Sequence, residues 1–173
     1  MPKKDMPLDD LIAYKEAVIK KISESQEVIG FLADDPAIDI YSDDANDIID
    51  HDIFDFDYID RTVQRSDAYI MVDSELDYPT SGSMNQWRVY VQVVCAKIFN
   101  KLNHKQFKGV NGNRRDNIAR AVDSLLNGER FIGIGKLELI SASPASVPDS
   151  FTSILLTYRV HDFRRERISH GES

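Results

Sequence analysis

The chain has 173 residues, with 29 acidic and 21 basic side chains and a net charge of −8. That length suits one domain with a proper hydrophobic core, and the acidic balance argues against a protein whose whole surface binds nucleic acid. No apolar run is long enough to span a bilayer, no secretory signal pattern follows the first residues, and the one cysteine, Cys95, excludes a disulfide framework and fits a reducing cytosolic setting.

Pro7 to Leu32 reads as one long amphipathic helix. Asp9 and Asp10 sit where a cap or first-turn acid meets the positive end of the helix dipole. Leu11, Val18, Ile22 and Ile29 follow a helical stripe that Ile12 and Ile19 widen, and Gly30 followed by Pro36 supplies a stop.

Asp34 to Gln64 is dense in aspartate and contains neither Lys nor Arg before Arg61. Its pattern predicts a long, irregular, solvated acidic loop, pinned to the body by Ile53, Phe54, Phe56 and Tyr58. The carboxylates raise a calcium site as an alternative. However, the alternating ligand spacing, the Gly and the closing Glu of an EF-hand loop are missing. Long loops inside a domain often reach a neighbour in an assembly.

Ser66 to Glu75 predicts a strand, with Ala68, Ile70 and Val72 alternating against Tyr69, Met71 and Asp73. Turn formers fill Pro79 to Met84. Trp87 to Lys97 is the strongest strand signal in the chain: Trp87, Val89, Val91, Val93 and Cys95 take one face, Arg88, Tyr90, Gln92, Val94 and Ala96 the other. It is expected as the central strand, antiparallel to its predecessor. A lone Cys on an apolar strand face reads as a small core residue before it reads as a nucleophile.

The segment from Ile98 to Asn113 follows Lys97 and carries Lys101, His104, Lys105 and Lys108, a basic patch without the aromatic platform of a nucleic-acid groove. Asn113 to Asn127 predicts a helix that buries Ile118, Val122, Leu125 and Leu126, with Arg114, Arg115, Asp116 and Arg120 on a polar face and Gly128 ending it. Gly133-Ile-Gly135-Lys136 lacks the spacing of a phosphate loop and precedes a strand, so it reads as a bend. Lys136 to Ala142 and Ser150 to Asp162 predict the last strands, the second with Ile154, Leu156, Tyr158 and Val160 on one face. The expected fold class is α+β: a mainly antiparallel four-stranded sheet packed with two helices, with the acidic loop between them. One domain spans the chain, and 164–173 is expected as a flexible tail.

No catalytic set assembles from these residues. His51, His104, His161 and His170 are scattered, no zinc-ligand spacing occurs, and no Gly-x-Ser-x-Gly elbow is present. The aspartates share one segment without the apolar pocket that separates paired pKa values. The expectation is a non-enzymatic protein without a cofactor or a metal.

Arg115 to Gly128, Phe131 to Ile140 and Leu155 to Phe163, together with Tyr14-Lys15 and Tyr69 to Asp73, resemble small neck and tail-completion proteins of tailed bacteriophages. Within that group the element order is similar to tail terminator proteins. The resemblance implies a structural virion protein forming a hexameric ring that ends the tail tube and joins it to the head. The implied partners are further copies, the tail tube protein and a head-closure or connector protein, with DNA passing through but not specifically bound and no membrane contact. Its implied location is the virion neck, and the host cytoplasm during assembly. A head-closure (stopper) or connector role in the same neck is the first alternative, a cytoplasmic protein-binding module the second.

A subunit that closes a ring needs two unlike, complementary faces. The candidate interface residues are the acids Asp43, Asp44, Asp47, Asp55 and Asp57 and the bases Lys101, Lys105, Arg164, Arg165 and Arg167.

Overall fold

A computed structural model describes residues 7–55, 67–77, 84–130 and 136–163. Among them run α1 (Pro7–Ser23), α2 (Gln26–Ala33), α3 (Asp43–Asp52), β1 (Ile53–Phe54), β2 (Ala68–Asp77), β3 (Met84–Ala96), a 3-10 turn at Lys97–Phe99, α4 (Arg114–Leu126), β4 (Leu137–Ser143) and β5 (Phe151–Phe163). The strands form a five-stranded sheet in the order β1-β2-β3-β5-β4.

β3 lies at the centre, as its alternation predicts. It pairs antiparallel with β2 on one side, Ile70 opposite Val93, and with β5 on the other, Val91 opposite Leu156. Its Trp87, Val89, Val91, Val93 and Cys95 are all buried. They join Val18 and Ile22 of α1, α2, and Ile118 and Val122 of α4 in the main core. Trp87 meets Tyr14 edge to face, with ring centroids 4.8 Å apart, a favoured aromatic geometry.

The sheet departs from the four antiparallel strands expected. β1 adds a fifth, parallel to β2 through Ile53 opposite Ile70, so the sheet is mixed. Two residues are too few to carry a period of their own, and pairing with Ile70 rather than local pattern makes them a strand. β4 joins the outer edge of β5, with a bulge between Leu139 and Ser141. The extra residue, Ile140, is left on the surface.

The predicted long N-terminal helix is two helices. Ser25 is the N-cap of α2 and accepts the Val28 N–H at 3.3 Å. This break turns α2 so that Val28, Ile29, Phe31 and Leu32 are all buried. Nor does α2 stop at Gly30. It continues to Ala33, and Asp34 closes it in the left-handed region at φ 54°.

The acidic segment contains α3 where an irregular loop is expected. Ser42 caps it by accepting the Ala45 N–H at 3.2 Å, and Asp43 and Asp44 fall in the first turn, where acids suit the helix dipole. Ala45 is buried, and Ile48 and Ile49 pack against the core. These positions share one helical face. Ile53 and Phe54 do anchor the chain, the first in the core and the second against Tyr69, with ring centroids 6.0 Å apart. Phe56, Tyr58 and the Gly133–Gly135 run lie outside the described residues.

Candidate functional site

Helices cover one face of the sheet. On the other face Tyr69, Met71 and Val94 are buried in a small apolar cluster completed by Phe54, Phe151 and Val147. Val147 belongs to the β4–β5 connection, which folds back on this face; Ser153 Oγ donates to the Ala145 carbonyl at 2.9 Å. Beside the cluster is a shallow hollow of about 230 Å³ lined by Met71, Asp73, Tyr90, Gln92 and Leu155.

Further along the same face, register sets four charges in one row across four strands. Glu75 is opposite Arg88, Arg88 opposite Arg159, and Arg159 opposite Glu138. Arg159 Nη2 donates to Glu138 Oε2 at 2.7 Å, and Arg88 lies 3.9 Å from Glu75. Tyr90 donates its hydroxyl to Glu75 Oε2 at 2.5 Å. Partial burial first, and then this bond to a carboxylate, raise the Tyr90 pKa. The open face is thus apolar at one end and charge-laddered at the other.

The acidic and basic candidates fall in different places. Asp43 and Asp44 are exposed in the first turn of α3, Asp47 lies a turn later beside His51 at 3.3 Å, and Asp55 follows β1. Lys101 and Lys105 are exposed in the segment between the 3-10 turn and α4. No ion pair joins the two groups within the subunit among the described residues. Asp57, Arg164, Arg165 and Arg167 lie outside the described residues.

Arg114, expected on a polar helix face, is buried. Its Nε donates to the Phe31 carbonyl at 2.7 Å and its Nη2 to the Leu32 carbonyl, both in the last turn of α2. Its own N–H donates to the Asn100 carbonyl at 2.8 Å. A cation at a helix C-terminus satisfies orphan carbonyls and the negative dipole end. Asn117, also buried, donates to the Asn111 and Asn113 carbonyls at 2.9 and 2.8 Å. These polar groups fasten backbone.

Cys95 is a core residue, as its strand position predicts. Burial pushes its thiol up to about 11, the reverse of the shift a nucleophilic thiolate needs. Tyr158 is buried with its hydroxyl donating to Asp123 at 3.2 Å, and burial raises its pKa strongly. Among the described residues no three metal-ligating side chains converge, and no helix is long and apolar enough to cross a membrane.

Two exposed apolar features have no counterpart in the sequence reading. Ile98 and Phe99 stand out at the end of β3, between Lys97 and Lys101, with Ile98 80% exposed. Tyr41, 86% exposed, stands at the mouth of a groove of about 520 Å³ lined also by Lys20, Ser23, Glu24, Ile40 and Ile49. The first had a signal, two large apolar residues where the period of two stops. The groove had none, because three separate segments build it.

The sequence model of the YomW family matches residues 19–160. No curated protein matches the chain. Among solved structures, the virion of a native gene transfer agent (GTA) particle contains a chain of similar fold. The identity is 14% and the TM-score 0.50, over 85% of this chain and 92% of that one.

Proposed function

The chain belongs to the YomW family, and on that premise we propose that it is a structural protein of a phage-like virion. The observation that carries this reading is the fold it shares, over nearly the whole length of both chains, with a component of a gene transfer agent virion. The finer reading is a ring at the particle's neck, hexameric by resemblance to tail terminators, that ends the tail tube and joins it to the head. We read the role as non-enzymatic, in keeping with buried polar side chains such as Arg114 and Asn117 that hold backbone carbonyls.

What favours self-assembly is the distribution of charge. Acids are exposed on α3, lysines are exposed before α4, and neither set neutralises the other within the subunit. Unlike faces on one subunit suit a heterologous interface, which closes a ring when the rotation permits.

Light scattering of the purified protein over a range of concentration tests the reading. Discrete hexamers, or association tending toward six, are the expected result. Part of the attraction is between exposed charges, so the association weakens as salt rises and shortens the screening length. A mass independent of both concentration and salt counts against the charged contacts. A monomer that joins purified heads in preference to tail tubes redirects the reading to head closure.

A further inference from the structure

The exposed Ile98–Phe99 turn and the groove beside Tyr41 lie at opposite ends of α2. At the C-terminal end, Arg114 ties the Phe31 and Leu32 carbonyls to the Asn100 segment, two residues past Ile98. At the N-terminal end, Gln26 Nε2 donates to the Ile38 carbonyl, which leads into Ile40 and Tyr41. Eight helical residues at about 1.5 Å each separate the ends by roughly 12 Å.

The two features are complementary in shape and in charge. One is a protruding apolar pair flanked by exposed Lys97 and Lys101. The other is a recess with Ile40 and Ile49 in its wall; the one lysine lining it, Lys20, is 3.9 Å from Glu24, and exposed Asp39, Asp43 and Asp44 in the chain around it leave the surroundings acidic. Ile98, 80% exposed, and Tyr41, 86% exposed, are the two most exposed large apolar side chains among the described residues, and Phe99 beside Ile98 extends the first into a pair.

We infer that the Ile98–Phe99 turn of one copy seats in the Ile40–Tyr41–Ile49 groove of the next. This deepens the self-assembling reading above and rests on it. An apolar anchor in a recess, ringed by charges of opposite sign, is the arrangement that concentrates binding energy at an interface. The anchor and the recess occupy different places on one subunit. The contact is therefore head to tail, and it propagates from copy to copy.

Two variants and their mixture test the contact. Ile98→Asp removes the anchor and Tyr41→Lys spoils the recess. Both side chains are exposed, so each variant is expected to melt within a few degrees of the parent protein. Sedimentation of the parent, each variant and a 1:1 mixture is the readout. The parent assembles, each variant alone loses association by about tenfold or more, and the mixture forms heterodimers that grow no further. That last result follows because the intact turn of one variant finds the intact groove of the other. Variants that assemble like the parent overturn the contact and leave the ring reading standing. A mixture that stays monomeric overturns the pairing of these two features. A parent protein that is monomeric at every concentration overturns the contact, and the choice between ring and head closure then falls to the binding test on heads and tail tubes.

Discussion

Arg114 and Phe31, 83 positions apart, are joined by a 2.7 Å bond from the guanidinium Nε to the carbonyl, and Nη2 of the same group reaches the Leu32 carbonyl. The side chain is buried, with Asp67 3.8 Å away. Replacing Arg114 with Leu leaves two carbonyls at the end of α2 without their donors and removes a cation from the negative end of the dipole. Each effect is worth about 1 kcal/mol or more, so a loss of roughly 2–4 kcal/mol is expected in chemical denaturation. Arg114→Lys recovers only part of it, because an ammonium cannot reproduce the planar fork. Full recovery by lysine would show that charge alone holds the end of α2.

Gly30 sits in α2 where the chain beyond Asp34 crosses it. A Cβ there would meet the Asp35 carbonyl oxygen at 3.2 Å and Pro36 Cα at 3.3 Å, both backbone atoms. The turn that brings them close is itself tied, by Asp35 N–H to the Gly30 carbonyl at 2.9 Å and Ala37 N–H to Asp35 Oδ1 at 2.9 Å. Helix propensity alone would favour alanine by about 1 kcal/mol. The expected result for Gly30→Ala is instead a net loss of about 1 kcal/mol in denaturant titration, and a larger loss for Gly30→Val. A gain on the alanine substitution would mean that the 35–37 turn yields freely.

These two positions mark the limit of what local pattern reveals. The alternation from Trp87 to Cys95 was legible because one strand with one buried face writes a period of two directly into the sequence, and α4 was legible through Asn113 and its apolar stripe. Gly30 instead reads locally as a helix stop, yet α2 runs through it and the glycine serves a chain crossing. Arg114 reads as a polar-face residue, because the carbonyls that bury it belong to a different helix. α3 was hidden because its Ile48 and Ile49 are a lone apolar pair between Asp47 and Asp50 in a run that looks irregular, while the face they share with Ala45 emerges only at helical spacing. The charge blocks were visible as blocks. The groove beside Tyr41 was not, since α1, the 40–41 segment and α3 meet there only in three dimensions.

Cys95 and Tyr158 make the fold sensitive to alkali. Both are neutral when protonated, and burial raises both, Cys95 from 9.0 to about 11 and Tyr158 above the ordinary 10.0. The folded state therefore holds these protons to higher pH than the unfolded chain does. Their stabilising contribution is full below about pH 9 and is lost as pH climbs through 11, with Tyr158 extending the decline further. The unfolding free energy should show no contribution from these groups between pH 7 and 8 and fall above pH 9, by on the order of 2 kcal/mol for the thiol alone. Cys95→Ala lowers stability below pH 9 through the cavity it leaves. Its diagnostic effect is a shallower slope between pH 9 and 11, and an unchanged slope would assign the alkaline loss to other groups.

The row Glu75–Arg88–Arg159–Glu138 places two arginines side by side, each with an acid on its outer flank. Arg159 and Glu138 are 2.7 Å apart, with side chains 35% and 58% exposed. Opposed like charges on adjacent strands repel and opposed unlike charges attract, each by about 0.2–1 kcal/mol. Arg159→Gln removes an attraction to Glu138 and a repulsion from Arg88 together, so its net cost is expected to stay under about 1 kcal/mol. The informative measurement is a double-mutant cycle of Arg159→Gln with Glu138→Gln. A coupling of a few tenths of a kcal/mol that fades in high salt is expected for a pair this exposed. Reversing Glu138 to Lys puts three cations in succession on β3, β5 and β4, and should cost more than the neutral change does. Equal costs for the two Glu138 variants would show that water screens the row completely.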